Sequence, residues 1–537
     1  MNRLVVSLML LCLFSLPAMA RSVCGTSELL QHLKEKKPYA MVKSTMRAGY
    51  CDDDELYDKV YSKKTEHFQI FYTLDGPHQT TEALVDSLAN DAEMAWNLYV
   101  NTLGMRAPLG IDSTHQYRQK VEDGLYPIEV LDISHMRDAR ALIGSVCYLC
   151  YGITVPQSGN YEKTQLFIEN DFKYMSSMDA QQAERVVGDT RCLYDVSNLE
   201  LKNERYNYSY AKFPEKALRV TVVHELYHAV QLRYLSLDWK NFWFEASASG
   251  MEDVGAPDVD DYFEYLPRMF GNSETTLNRM NQDYGAGVLF LYLYNHVDKK
   301  FDKSIWENFS NHPSWSFQQN LDSYAKAKKL LADSLFHDFA LKLSFSGDRS
   351  VFLDKKDWIN EDQWAWPNYK HNADSMSVSV RLGELSYRYT TNFLPNLSDF
   401  KGNASAVVYR NDSAKVIPIP YANSLDQVVV ERNNADSVSF VFSRLIESSV
   451  LPTQQDTMPL HAYPTPWRKG NLCFTPLPQS KEFVEIRNRR GDLVTRENYL
   501  GRTLCIDEKR VKELFAPGVY MFRAGSHGKM ERLMIVY

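Results

Sequence analysis

Alternation of apolar and polar positions marks a first strand at Glu66–Tyr72, with Phe68, Ile70 and Tyr72 on one side. The period then lengthens. From about Thr80 to Leu103, Ala83, Leu84, Leu88, Ala92 and Trp96 recur at helical spacing. Pro127–Ile133 reads as a second strand, and Tyr151–Pro156 with Thr164–Ile168 as a hairpin around a polar loop. No Gly or Pro occurs from Lys216 to Lys240, where Val222, Val223, Leu226, Ala229 and Val230 supply the apolar face of a buried helix. Asp283–Gly287 opens a further apolar helix through Tyr294. Helices continue through Tyr324 to Leu343, with Ala325, Leu331, Leu335, Phe336, Phe339 and Ala340 near a 3.6-residue period. From about Ser375 short alternating runs return at Ser377–Val380, Ala406–Tyr409, Gln427–Val430 and Ser437–Phe442, which suggests a β-sandwich module. Leu451–Asp456 reads as a linker, and strands resume from His461 to the end at Glu531–Tyr537.

A chain of 537 residues with 44% hydrophobic content has ample material for about three or four domains. A formal charge of −8 argues against a nucleic-acid partner. Met1–Ala20 has the form of a signal peptide: Arg3 as the basic start, Leu4–Leu16 as the apolar stretch and Ala18-Met19-Ala20 as the cleavage site. No later run is apolar and long enough to span a membrane. The mature protein is therefore expected to be secreted or held at the cell surface. Export makes the cysteines readable as disulfides. Nearness pairs Cys24 with Cys51 and Cys473 with Cys505, and leaves Cys192 to bridge Cys147 or Cys150. Residues 21–64 form a small lead-in with a helical Glu28–Leu33. Its acidic run at Cys51–Glu55 lacks EF-hand spacing and reads as a solvated turn.

The chemistry concentrates in Thr221–Gln231. His224 and His228 are four residues apart, so on a helix they share one face and can grip one Zn²⁺ from the same side. Glu225 lies about 100° round the helix, placed to act on water as a general base. Apart from Glu225, no residue from Val220 to Leu232 carries a fixed charge. The third ligand is expected from Asn241–Asp253. Glu245 sits in a small-residue run suited to a closely packed second helix, and an antiparallel return from a turn at Leu235–Asp238 brings it level with the histidines. Glu252, two turns further on, is the alternative ligand, or else orients a zinc histidine from behind.

His224-Glu225-Leu226-Tyr227-His228 followed by Trp243-Phe244-Glu245-Ala246-Ser247-Ala248 resembles the gluzincin metallopeptidases, and more narrowly a group of large secreted bacterial metalloproteases, over roughly Glu66 to Phe352. The resemblance implies zinc ligands His224, His228 and Glu245, with Glu225 as base. It also implies an edge strand that pairs with a peptide substrate, here one strand of the hairpin. A Tyr or His steadying the oxyanion is implied too, with Tyr284 as the choice and His296 in reserve. Many gluzincins carry Asp four residues after the Glu ligand. Ser249 stands there in this chain, so the support of the histidines must be built differently, through Glu252.

The C-terminal part, with Tyr463-Pro464-Thr465-Pro466-Trp467 and Phe515–Phe522, resembles the sorting domain of type IX secretion substrates, which often have Asn where Thr465 stands. That likeness implies passage through a type IX-like secretion machinery. The expected architecture is α+β. Residues 1–20 are the signal peptide and 21–64 the lead-in. A zincin-like metallopeptidase domain spans 65–375, with a twisted sheet, an active-site helix and a helical lower lobe. Two all-β modules follow, a β-sandwich at 376–455 and the sorting-like domain at 456–537. The expected activity is a secreted zinc endopeptidase acting on protein or peptide. The competing expectation is an inactive zincin-like protein for surface adhesion or glycan binding, which the presence of Glu225 disfavours.

Overall fold

The computed structural model describes Thr26 and residues 59–76, 78–133, 150–157, 159–172, 214–234, 241–271, 274–278, 284–369, 372–373, 380, 382–391, 394–421, 425–433, 435–446, 460–475, 477, 483–499, 503–525 and 530–537. The signal peptide, the Cys24–Cys51 pairing, the Leu235–Asp238 turn and the 451–456 linker lie outside these residues. The chain is a mixture of helices and several sheets. Its contacts divide it into one unit of residues 1–244 with 251–261 and another of 245–250 with 262–537.

The first unit is built on a six-stranded sheet. β1 (Tyr61–Lys64) pairs antiparallel with β2 (Phe68–Tyr72). The sheet then runs in parallel through β4 (Tyr126–Leu131) to β6 (Asn160–Glu169), with β3 (Leu109–Gly110) beyond, and β5 (Gly152–Gln157) lies antiparallel on the other side of β6. Every residue of β2 and β4 is buried, as befits strands covered on both faces. α1 (Glu82–Trp96) starts where the Thr81 side chain accepts from the Leu84 amide, and it runs on into a π-helical stretch, Asn97–Thr102. α2 (Pro214–Gln231) packs against α1, β5 and β6. From Val220 to Gln231 all of its residues are buried, so its apolar positions encircle it rather than form a stripe. The strands and helices expected between Glu66 and Gln231 are thus present.

α3 (Asn241–Gly255) is one continuous helix whose residues are shared between the two units. The second unit continues with α4 (Leu266–Phe270), α5 (Gly287–His296), α6 (Phe301–Asn311), α7 (Phe317–Ala327) and α8 (Ala332–Leu343). Ser249 and Gly250 of α3 lie against α5, where a side chain at Gly250 would meet Phe290 at 2.5 Å. A second six-stranded sheet follows, in the order β11 (Ser413–Pro418), β10 (Asn403–Arg410), β12 (Ser437–Arg444), β9 (Ser386–Thr391) and β7 (Glu274–Thr276). β8 (Asn372–Ala373) also pairs with β9.

Three expectations are corrected in this sheet. Gln427–Val430 is not a strand but lies in α9 (Asp426–Arg432), with Val428 buried and Val430 exposed. An apolar run this short fits either state, and here the chain covers the sheet with a helix instead of extending it. The boundary at residue 375 does not separate two folds, because β7 and β8 from the earlier segment complete the sheet of the later one. Nor is that sheet half of a sandwich. α8 packs against β10 and β12, while Val428 of α9 joins Phe400, Ala406, Phe440 and Phe442 in one apolar cluster.

The end of the chain does form two facing sheets. β13 (His461–Tyr463), β14 (Leu472–Thr475) and β17 (Leu504–Ile506) make one. β16 (Leu493–Asn498), β15 (Phe483–Asn488), β18 (Gly518–Ala524) and β19 (Glu531–Ile535) make the other. Trp467, Phe474, Ile486, Phe522 and Leu533 fill the space between them, with α10 (Glu508–Leu514) contributing Val511. The Cys473–Cys505 disulfide joins directly opposed residues of β14 and β17, as nearness predicts. Cys150 is also disulfide-bonded, to a cysteine outside the described residues.

Candidate metal centre

α2 and α3 bring together what the sequence spacing proposes. One ligand atom each from His224, His228 and Glu245 lie within 4.8 Å of one another, and all three residues are buried. Glu245 owes its place to the residues flanking it on the same helix. Just before it, Phe244 stacks on the His228 ring at 4.1 Å and 4° between planes. Two turns later, the Glu252 carboxylate meets His224. Small residues permit this approach, since a side chain at Gly255 would meet Val223 at 2.8 Å. An exposed surface would accommodate such groups easily. Here they are buried, where polar groups are held by specific partners.

Hydrogen bonds behind the histidines fix how the rings are turned. His224 Nδ1 is 2.5 Å from Glu252 Oε1, and His228 Nδ1 is 2.7 Å from Gln231 Oε1. Both acceptors are oxygens, so each Nδ1 carries the proton and each Nε2 keeps a lone pair. The two Nε2 atoms face each other at 2.9 Å. Two ring nitrogens this close, beside the Glu245 carboxylate, make a compact set of donor atoms. The arrangement therefore fits a metal ion, with the outer oxygens orienting the inner ligands. This group can hold a metal ion. Glu252 serves the histidine from behind, and Glu245 is the carboxylate that joins the cluster.

Gln231 was not singled out in the sequence. It accepts from His228 and donates through Nε2 to the Phe244 carbonyl at 3.0 Å, which ties the end of α2 to the start of α3. Its spacing three residues after His228 was the available signal. Tyr99 was missed too. Its hydroxyl donates to the Val223 carbonyl at 2.7 Å, and burial first, then the Glu252 charge, push its pKa well up, so it remains a donor.

Glu225 is buried on the side of α2 that faces β5. The Thr154 hydroxyl lies 2.6 Å from its main-chain oxygen and 2.9 Å from Oε2. The Thr26 hydroxyl donates to Oε2 at 2.8 Å. β5 can come this close because Gly152 has no side chain; a Cβ there would lie 2.6 Å from both Glu225 Cγ and Thr221 Cγ2. Ile153 and Val155 face the opposite core, so β5 alternates between the helix and the second apolar cluster.

Tyr284 begins a 3₁₀ turn, Tyr284–Ala286, in the second unit, where its ring stacks on Tyr265 at 4.8 Å. His296, the reserve, donates through Nε2 to the Trp358 carbonyl at 2.6 Å. No protein-family model matches the chain, and no curated protein matches it.

Proposed function

We propose that the chain is a zinc-dependent hydrolase that cuts peptide bonds, with His224, His228 and Glu245 holding the metal and Glu225 as general base. The observation that carries this reading is the pair of Nε2 lone pairs converging at 2.9 Å beside Glu245, each ring anchored from behind. Two imidazoles and one carboxylate form the ligand set of catalytic zinc, which leaves a coordination position open. Zinc bound there supplies Lewis-acid polarisation of water and of the scissile carbonyl. Glu225 takes a proton from the attacking water and passes it to the leaving amine. Thr154 holds the Glu225 backbone and carboxylate against β5, which limits the rotation of the base.

β5 favours an extended peptide as substrate. Among the described residues it pairs with β6 alone, so its other edge can accept a strand by main-chain pairing. An antiparallel edge strand beside the HExxH helix is consistent with the zincin-like fold expected from the gluzincin resemblance. The Cys473–Cys505 and Cys150 disulfides are consistent with an oxidising, extracytoplasmic location, and with export of the kind the C-terminal module resembles. Tyr284 is retained as the proposed oxyanion donor on the resemblance alone.

The test uses the full-length mature chain. One equivalent of transition metal should co-purify, and chelator-sensitive cleavage of casein should fall at least 100-fold in Glu225→Gln with metal content unchanged. Glu245→Gln should lose the metal. Absence of metal from the wild-type protein, or equal cleavage by Glu225→Gln, would overturn the hydrolase. Metal retention without cleavage in either protein would instead support the adhesion or glycan-binding reading.

A further inference from the structure

Thr26 lies 199 residues from Glu225 in sequence, yet its hydroxyl is buried against that carboxylate. The same oxygen accepts the Thr154 amide of β5 at 2.8 Å. One hydroxyl thus engages two groups at once: as donor to Glu225 Oε2, and as acceptor from the strand edge. Both are groups that the proposed reaction needs free. Glu225 must take a proton from water, and the edge amide must donate to a substrate carbonyl.

The strand geometry shows how few substitutes exist for that amide. In an antiparallel pair, alternate residues direct their amides away from the partner strand. Thr154 points outward, so Gly152 and residue 156 share its direction. Residue 156 is proline and has no amide. Thr154 therefore sits between an edge donor at Gly152 and a position that cannot donate. Capping it blocks the middle of the edge of β5 that, among the described residues, is not paired with β6.

Building on the function proposed above, we infer that Thr26 is an autoinhibitory contact: it occupies, with one side-chain oxygen, the places of a substrate carbonyl on β5 and of a proton donor to Glu225. The chain as it stands is latent, and substrate binds only where Thr26 is displaced. A purely structural role would also use these hydrogen bonds, but it predicts the opposite effect on substrate binding. Loss of a structural support loosens β5 and weakens the peptide site, whereas loss of a plug strengthens it.

The experiment measures binding, not turnover. Metal-stripped full-length mature protein is titrated into fluorescein-labelled β-casein and followed by anisotropy. Thr26→Val keeps the shape and removes both hydrogen bonds. It should bind casein about tenfold more tightly than wild type, the scale of one hydrogen bond released from competition. Thr26→Ser keeps the hydroxyl and should match wild type. Amide exchange at Thr154 should speed up in Thr26→Val and slow again on adding casein. Thr26→Ala serves as the second variant should Thr26→Val fail to fold. Casein affinity equal to or weaker than wild type in a folded variant lacking the hydroxyl would overturn the inference. Because metal is absent from the titration, failure of the zinc hydrolase would appear separately, as missing metal and missing cleavage in untreated protein.

Discussion

At the scale of single residues, the candidate centre depends on groups outside the His224, His228 and Glu245 cluster. Glu252 and Gln231 set the tautomers of His224 and His228, and with them the direction of both lone pairs. Glu252→Ala should lower metal affinity 10- to 100-fold, measured by chelator competition, because the ring then loses its anchor and its basicity. It should also cost about 1–3 kcal/mol in chemical denaturation of the metal-free protein, since a buried N–H is left without its acceptor. Gln231→Leu should show a smaller loss of metal affinity and, in addition, a looser start to α3, since its amide holds the Phe244 carbonyl. Tyr284→Phe tests the oxyanion proposal: kcat should fall and KM should hold.

Elements set the distances at which those residues act. β5 touches α2 through Gly152 and Thr154, and a Cβ at 152 would collide with the Glu225 side chain. Gly152→Ala should therefore reduce casein cleavage while leaving the bound metal in place, a split that metal analysis and a rate assay together detect. It should also cost about 1–3 kcal/mol through overpacking. In the second unit, α8 places His337 between two hydroxyls of the sheet, with Nδ1 2.8 Å from Ser443 Oγ and Nε2 2.8 Å from Ser405 Oγ. Burial pushes its pKa down to about 4. A histidine depressed in this way contributes stability that is present above its unfolded pKa near 6.5 and is lost as pH falls towards 4. Denaturant titrations should show up to about 3 kcal/mol lost over that interval, and His337→Gln should flatten the pH dependence. The pattern along the chain displays the helix and strands of this region but not this contact, because α8 and the sheet are joined by residues more than 60 positions apart.

Across the whole molecule, the chain holds its pieces by different means. The C-terminal pair of sheets has its own apolar core around Trp467 and a disulfide that closes a 32-residue separation. Breaking that bond, by Cys473→Ser with Cys505→Ser, should cost the module about 3–4 kcal/mol on the loop-entropy scale. Calorimetry should show this as a lowered transition for that module, with metal content unchanged. The other β region has no such independence, since β7 and β8 reach it from earlier in the chain. No helix among the described residues is long and apolar enough to cross a membrane.

What the sequence by itself determined is local. The HExxH spacing, the small-residue run around Glu245, the period of the helices, the hairpin beside them and the Cys473–Cys505 pair all follow from residues within one or two elements of each other. Such features are written in periodicity and spacing, which one strand or one turn of helix converts directly into geometry. Tertiary structure decided the rest. It chose Glu245 over Glu252 for the cluster and gave Glu252 to His224. It turned Gln427–Val430 into a helix and set Thr26 against Glu225. Each of those outcomes depends on which surfaces meet, and that is settled by burial summed over many distant residues, not by the pattern at any one of them.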